Sequence, residues 1–365
     1  MTRLPRRLLL ASVLTLTATG LLADKPTPGC DTVGNAQAVC GFPAPEDIDV
    51  MPDGRHLLLS PFGGIEGEHP QPLYLFDTDS LEASPIAFRE ETSPARWDDE
   101  LCPANPGSLF GAHGVHVSRR ADGPWQLLAV NHQRESVEMF EIVEEAGVPA
   151  LAWRGCVVMP EGTTLNDVSA LPGGGLLASH MVTLTKDLGM MEAMALKGET
   201  GYLLRWRPGQ GVDKLPGSDS NLTNGVAVSA DGRHVFIAEG GEGRVRKLDY
   251  GTGENLGEVN AFPDNFSWAP DGRLLVTGIS GPLPETCMTT PGPCLAPFRV
   301  QAIYNQAWVL WRLGRDEEAV ETLDRLESTE GALGVATSLR GHMLREAVAD
   351  TDRQASWQDV LSETG

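Results

Sequence analysis

The stretch NLTNGVAVSADGRHVFIAEGG, residues 221–241, contains two short runs of alternating apolar residues on either side of an Asp-Gly pair. Val226 and Val228 mark the first run, and Val235 begins the second. Such alternation is typical of β-strands that bury one face, and Asp-Gly indicates a hairpin turn because glycine adopts positive φ without steric cost. The stretch therefore predicts a β-hairpin with the polar residue Asn224 at the entry of its first strand.

The same strand–turn–strand pattern recurs along the chain. Glycines mark its turns at positions 54, 123, 173, 232, 272 and 341, with gaps that average about 57 residues. A four-stranded propeller blade takes about 40 to 50 residues, so six blades with loop insertions would fill the chain. Strong helical periodicity is absent before about residue 300. The sequence therefore predicts an all-β, six-bladed β-propeller, with a β-sandwich as the main alternative.

The first residues, 1–23, have the composition of a signal peptide. Three arginines precede the apolar run LLLASVLTLTATGLLA, which is shorter than the ~20 residues that a membrane-spanning helix needs. A membrane anchor is the alternative. Cleavage after Gly20 or Ala23 would leave a propeller over 24–350 and a C-terminal tail over 351–365.

Six cysteines fit an exported protein, either periplasmic or secreted, because disulfides persist in oxidising compartments. Fifteen pairings are possible. Zinc is a competing interpretation, but the sequence has no Cys-x-x-Cys and no histidine near these cysteines. One set of disulfides pairs neighbours along the chain: Cys30–Cys40, Cys102–Cys156 and Cys287–Cys294.

The formal net charge is −22 at pH 7, and loss of the three N-terminal arginines would take it to about −25. Nucleic-acid binding needs clustered Lys and Arg, so we expect no nucleic-acid partner. No later stretch is apolar enough to span a bilayer, so no stable membrane span is expected in the mature chain. The acidic balance favours solubility and cation binding. The oligomeric state stays open.

Polar side chains recur at the entry of the first strand of each predicted hairpin. Asn224, Glu46 and Asp264 lie eight residues before their turn glycines, Asn166 seven and His113 ten. The first strand of a blade lines the central channel, so radial symmetry would gather these side chains at one mouth. Buried carboxylates and amides need partners, and their oxygens are the ligands that Ca²⁺ takes. The pattern predicts a calcium site on the axis, and independent strand-entry caps are the alternative.

At these residues the chain resembles the calcium-dependent paraoxonase/arylesterase and gluconolactonase-like, or senescence-marker-protein-like, superfamily of six-bladed propellers. The resemblance covers roughly residues 40–300, with a weak return at 334–350. "NH…SVEMFEI" after an "HG" is its most specific part and points to the arylesterase branch. The motifs that carry it are EDIDVMPDG (46–54), HGVHVS (113–118), LLAVNHQRESVEMFEI (127–142), LNDVSALPGGG (165–175), NGVAVSADG (224–232) and DNFSWAPDG (264–272).

The resemblance implies two bound Ca²⁺ ions and a histidine pair that activates water. His113 and His132 match that pair, and His116 and His180 are weaker candidates. Asp47, Asp167 and the backbone carbonyl of Val115 match the ligands of a structural calcium. The ligands implied for the catalytic calcium are Glu46, Asn166, Asn224, Asp264 and Asn265.

These assignments predict a calcium-dependent hydrolase of lactones or of aryl or carboxylic esters. The metal would polarise the carbonyl and a histidine would activate the attacking water. A Gly-x-Ser-x-Gly elbow is absent, so a serine-hydrolase route lacks its signature. The Met-rich insertion 182–200 is a predicted lid. A non-enzymatic propeller binding module with structural calcium and a strictosidine-synthase-like relative are the alternatives.

The segment 301–328 departs from the pattern. It has helical spacing of apolar residues and resembles one tetratricopeptide unit, including "LGRDEEA". A lone unit of that kind cannot bury its own core. The sequence therefore predicts a helical excursion within the last blade.

Overall fold

The computed structural model describes most of the chain between Pro45 and Ile279. Its strands all belong to one compact unit, Pro43–Gly365, and the other compact unit, Met1–Phe42, contains a single described residue, Val39. The described residues form β-strands and no helix, and so contain no helix able to cross a membrane. The described ranges are 45–64, 67–89, 96–98, 102, 104–183, 196, 198–269, 272–279 and 298–300, together with Val39 and Pro43.

Twenty strands form five sheets. Sheet 1 contains β1 (Pro45–Val50), β2 (His56–Pro61), β3 (Tyr74–Asp77) and β4 (Glu82–Pro85). Sheet 2 contains β5 (Ala87–Arg89), β6 (Ala112–Arg119), β7 (Trp125–Asn131), β8 (Ser136–Glu145) and β9 (Val148–Val158). Sheet 3 contains β10 (Leu165–Ala170), β11 (Leu176–His180), β12 (Tyr202–Arg207) and β13 (Gly211–Lys214). Sheet 4 contains β14 (Thr223–Val228), β15 (His234–Glu239), β16 (Arg244–Asp249) and β17 (Asn255–Asn260). Sheet 5 contains β18 (Pro263–Trp268), β19 (Leu274–Ile279) and β20 (Phe298–Val300).

Each sheet is an antiparallel meander in chain order, except that β5 adds to the outer edge of sheet 2 parallel to β9. All five predicted hairpins of the described chain are present. The opening stretch folds into β14 and β15, with Gly232 at φ +69° in the turn. In the third hairpin the positive φ falls at Gly174 and Gly175 rather than at the predicted position 173.

The sheets pack face to face in succession. Apolar side chains from sheets 1 and 2 form one core around Leu58 and Phe140, and sheets 2 and 3 form another around Met139 and Leu176. Sheets 3 and 4 form a third around Ile237. The first strands β1, β6, β10, β14 and β18 are neighbours in that order, as the inner strands of a propeller are. The described chain is therefore an all-β propeller.

Several predictions lie outside the described residues. These are the signal peptide 1–23, the helical segment 301–328, the sixth hairpin 334–350 and the tail 351–365. Most of the predicted lid 182–200 lies outside them as well. Five sheets are described, so the predicted number of six blades remains a prediction.

A disulfide joins Cys102 to Cys156, which is one of the predicted pairs. Both cysteines are buried in the core between sheets 1 and 2. The bridge ties the loop before β6 to β9, across a sequence separation of 54 residues. The other four cysteines lie outside the described residues.

Replacement of both Cys102 and Cys156 by alanine should lower the free energy of unfolding by about 4 kcal/mol, because a bridge over a loop this long restricts the unfolded chain. Urea denaturation measures the change. Reduction of the wild-type protein should produce a similar shift of the midpoint. An unchanged midpoint in both experiments would show that the bridge contributes no stability.

Candidate metal centre and histidine pair

The entry residues of the inner strands meet in one group, called the axial cluster from here on. Five of its members are the second residue of an inner strand, and one is the third residue of β18. The axial cluster consists of Glu46, His113, Asn166, Asn224, Asp264 and Asn265.

Short contacts join these side chains across the sheets. Glu46 Oε1 lies 3.2 Å from His113 Nε2, and Asn265 Nδ2 donates to the same Glu46 oxygen over 3.3 Å. Asn166 Nδ2 lies 3.3 Å from His113 Nε2. Asn224 Nδ2 donates to Asp264 Oδ1 over 2.7 Å. The structure thus brings together every residue predicted for the axial calcium, with His113 beside them.

A shared irregularity in strand pairing aims these side chains. In each of the five inner hairpins the register shifts at the strand entry, across the residue that joins the axial cluster. A β-bulge re-aims a side chain and is common beside functional sites. The shifts fall at Pro45/Asp47, Ala112/Val115, Leu165/Val168, Thr223/Val226 and Pro263/Phe266.

Four oxygens of the axial cluster are buried and have no hydrogen-bond partner among the described residues. They are Glu46 Oε2, Asn166 Oδ1, Asn224 Oδ1 and Asn265 Oδ1. In all three amides the nitrogen contacts a neighbour while the oxygen is unpaired. An unsatisfied buried polar atom costs about 1–3 kcal/mol. Carboxylate and amide oxygens are ligands of Ca²⁺, so this donor set fits that ion.

The charges of the axial cluster are unbalanced. Burial raises the pKa of Glu46, but His113, Asn265 and His132 together hold this pKa below its ordinary value. Burial lowers the pKa of His113, but Glu46, Asp167 and Asp264 together raise it above its ordinary value. Burial and the charge of Glu46 raise the pKa of Asp264. One imidazole faces two carboxylates, so the group favours a further positive charge.

The predicted histidine pair is present. His113 Nδ1 lies 2.7 Å from His132 Nε2, and both side chains are buried. The His132 backbone N–H donates to the Gly111 carbonyl over 2.8 Å, which holds the start of the β7–β8 turn. The ring of Phe62 meets His113 edge-on at 5.1 Å between centroids. His113 therefore belongs both to the axial cluster and to the pair.

Asp47 and Asp167, predicted for a structural calcium, lie behind the axial cluster. Asp47 Oδ2 accepts from Val115 N over 2.8 Å, and Asp167 Oδ2 accepts from Val226 N over 2.7 Å. Burial, then the charge of Asp167, raises the pKa of Asp47 well above its usual range. Burial raises the pKa of Asp167 to about 8. Val115 contacts this pair through its backbone N–H, which donates to Asp47. The role of its carbonyl as a metal ligand stays a prediction.

The two weaker histidine candidates, His116 and His180, make different contacts. His116 lies near Asp49, and both line a cavity of about 820 Å³ that begins at Asp47 and Asp167 and runs along the inner strands away from the axial cluster. His180 Nδ1 accepts from Thr164 N over 3.0 Å. Burial lowers the pKa of both His116 and His180. Neither joins the histidine pair.

Sequence reasoning missed Glu135. Its Oε1 lies 2.8 Å from His132 Nδ1, and its Oε2 accepts from Leu165 N over 2.9 Å. The available signal was a carboxylate three residues after a candidate histidine. The position of Leu165 was beyond sequence reasoning, because it depends on how sheet 3 packs on sheet 2.

The fold and this site define a class: a β-propeller with a buried, oxygen-rich cluster on its axis beside two histidines. No protein-family model matches the chain. It is 27% identical to human serum paraoxonase/lactonase 3 over 199 residues, which cover 53% of this chain and 52% of that protein. It is 24% identical to human serum paraoxonase/arylesterase 1 over 217 residues, which cover 58% and 56%. The chain thus spans about half the length of the curated relatives it matches.

Two solved structures are also similar to this chain. One is a protein described as a putative gluconolactonase, at 16% identity and a TM-score of 0.41, over 66% of this chain and 73% of that chain. The other is regucalcin from Agrobacterium tumefaciens, described as a calcium-binding protein, at 16% identity and a TM-score of 0.36, over 65% and 68%. The sequence similarities confirm the resemblance to the paraoxonases.

The third residue of the inner strands includes a glycine whose substitution should destabilise the fold. It holds aspartate in sheets 1 and 3 and glycine in sheets 2 and 4, at Gly114 and Gly225. A Cβ at Gly114 would lie 2.5 Å from Asp167 Oδ1 and 2.6 Å from Asp167 Cα. Gly114→Ala should therefore lower the free energy of unfolding by about 1–3 kcal/mol, as overpacking does.

Gly173→Ala is the matched control, because a Cβ there has no neighbour within 4 Å. It should change stability by less than about 0.5 kcal/mol. Urea midpoints of the two variants compare them. Equal midpoints would contradict close packing of the inner strands at the axis.

Proposed function

We propose that the protein is a calcium-dependent hydrolase of lactones or of aryl or carboxylic esters. The observation that carries the proposal is the group of four unpaired buried oxygens that lies against a buried histidine pair. The sequence relatives support the substrate class, since they are named paraoxonase, lactonase and arylesterase. Their low identity leaves the particular ester or lactone to experiment.

The free oxygens of Glu46, Asn166, Asn224 and Asn265, with Asp264, would hold the catalytic ion. A second ion would lie at Asp47, Asp167 and the Val115 carbonyl. When bound, calcium supplies a Lewis acid that polarises the substrate carbonyl and stabilises the oxyanion.

In this proposal His113 moves the proton. Its Nε2 lies 3.2 Å from Glu46 Oε1, so a base stands directly beside a proposed metal ligand. Glu46 raises the pKa of His113, and a cation held by that carboxylate would offset its charge and lower the pKa again. In the proposed reaction His113 takes the proton of the attacking water. It returns that proton to the leaving oxygen as the acyl bond breaks.

His132 and Phe62 support this role. His132 contacts the other ring nitrogen of His113 over 2.7 Å and holds the imidazole in place. The Phe62 ring covers the edge of His113, which shields the base from bulk water. Together they orient His113 and lower the polarity around it.

We further propose that a sixth sheet closes the propeller and that the protein works outside the cytoplasm. Five sheets are described, and β1 and β18, the ends of the inner row, meet through Asn265 Nδ2 and the Glu46 carbonyl at 3.2 Å. This contact supports a ring that returns on itself, while the sixth sheet is proposed from the sixth hairpin that the sequence predicts at 334–350. The Cys102–Cys156 bridge supports export, to the periplasm or beyond the cell.

Removal of calcium with a chelator should lower the melting temperature and abolish hydrolysis of lactones and aryl esters, with both restored by added Ca²⁺. A ligand present at 100 times its Kd stabilises the folded state by about 2.7 kcal/mol. A thermal melt and a substrate panel, each with and without Ca²⁺, make the test. A calcium-dependent melt without turnover would instead support the binding module, and indifference of both would contradict the metal site.

His113→Gln should lower kcat by about 10²–10⁴, the range typical of a lost general base, while calcium still raises the melting temperature. His116→Gln is the matched control. It removes a histidine of the same strand, but one that lines the 820 Å³ cavity and not the axial cluster. Steady-state kinetics of both variants give the comparison. Equal losses in the two would exclude His113 as the base.

A further inference from the structure

We propose that Glu135 is a positioning residue that sets the tautomers of His132 and His113, so that His113 presents an unprotonated Nε2 to the axial cluster. Its catalytic consequence rests on the proposed hydrolase function. The hydrogen-bond order itself is a property of the fold.

Glu135 is held in place by three contacts. Its Oε1 lies 2.8 Å from His132 Nδ1, its Oε2 accepts from Leu165 N over 2.9 Å, and its backbone carbonyl accepts from Met159 N over 2.9 Å. Its φ is +42°, which is uncommon for a residue other than glycine. The side chain is 25% exposed, whereas that of His132 is fully buried. The β7–β8 turn therefore adopts a strained conformation that directs this carboxylate at His132.

The order of donors follows from the chemistry of each atom. An ionised carboxylate only accepts, so His132 Nδ1 carries the hydrogen that Glu135 Oε1 receives. A neutral imidazole then has a lone pair on Nε2, which accepts from His113 Nδ1 at 2.7 Å. With its hydrogen on Nδ1, neutral His113 has a lone pair on Nε2. Glu135 thus determines the state of an atom two rings away.

The far end of this chain, His113 Nε2, contacts two side chains of the axial cluster. Asn166 Nδ2 lies 3.3 Å from His113 Nε2, and an amide nitrogen only donates. That contact favours a lone pair on His113 Nε2, whereas the Glu46 carboxylate, at 3.2 Å, favours a hydrogen there. A cation held by Glu46 would offset its charge and weaken that competition. Glu135 at one end and Asn166 at the other select the same tautomer of both rings.

Glu135 also links the histidine pair to a strand of the proposed metal centre. Leu165, which donates to Glu135 Oε2, directly precedes Asn166 in β10. One carboxylate therefore aligns the base from sheet 2 with a ligand from sheet 3. Loss of this alignment would separate the base from the bound substrate.

Glu135→Gln tests the proposal with little change of shape. Leu165 N still needs an acceptor, so the glutamine oxygen takes that bond and the glutamine NH₂ faces His132 Nδ1. An NH₂ group donates, so the hydrogens of both rings should move to Nε2. His113 would then direct N–H toward Glu46 and lose its ability to accept a proton.

The direct readout is the ¹⁵N chemical shifts of the histidine rings in the full-length, calcium-loaded protein. We expect Nδ1–H on both rings in the wild type and Nε2–H in Glu135→Gln. Turnover of the best lactone or aryl ester found for the wild type should show a fall in kcat of about 10²-fold, with KM within about twofold. A melt confirms that the variant is folded.

Asp53→Asn is the matched control. Asp53 Oδ2 contacts His56 Nδ1 at 2.6 Å with the same three-residue spacing, in the turn between β1 and β2. It should alter the ring shifts of His56 and leave kcat unchanged. A fall in kcat in Glu135→Gln with wild-type tautomers at His113 and His132 would overturn the proposal.

The ring shifts separate this proposal from the proposed function. A wild-type protein without turnover, but with Nδ1–H on both rings and reversal in Glu135→Gln, would refute the hydrolase and retain the positioning role. Nε2–H on His113 in the wild type would overturn the positioning role, whatever the activity. That measurement does not require the variant to fold.

Discussion

Glu46 connects the parts of this structure that are far apart in sequence. Its carboxylate contacts His113 of sheet 2 and Asn265 of sheet 5, although it belongs to sheet 1. The contacts occur where buried carboxylates and amides outnumber the positive charges near them. Such an arrangement is unfavourable without a counter-charge. This imbalance is the physical basis of the cation site proposed for the inner strands.

Stability and chemistry are separated in space. Apolar cores between consecutive sheets hold the propeller together, and each core is formed by two adjacent sheets only. The axial cluster lies at the inner ends of these sheets and contributes unpaired polar atoms instead of apolar burial. The many cores can support an unfavourable arrangement at the axis, because their burial contributes far more free energy than a few unpaired oxygens remove.

The bulges at the strand entries connect these two regions. With regular pairing, side chains would alternate between the two faces of the sheet along the whole inner strand. The face on which the second side chain lies would then be fixed by that alternation. The register shift at all five entries frees that residue from the alternation. The polar entry residues can then face the axis while Val115, Val168 and Val226 remain in the cores.

Much of this protein was determined by the sequence alone. Period-two alternation around turn glycines identified the hairpins, because each strand has one buried face. The spacing of polar residues, seven or eight positions before each turn glycine, identified Glu46, Asn166, Asn224 and Asp264. Residues at equivalent positions of the blades lie close together because the propeller is radially symmetric. The tertiary structure decided the rest. Which oxygens are free, which ring nitrogen meets which partner, and that Glu135 contacts both His132 and Leu165 depend on contacts between different sheets. No local pattern encodes such distances, because they arise only when the sheets pack.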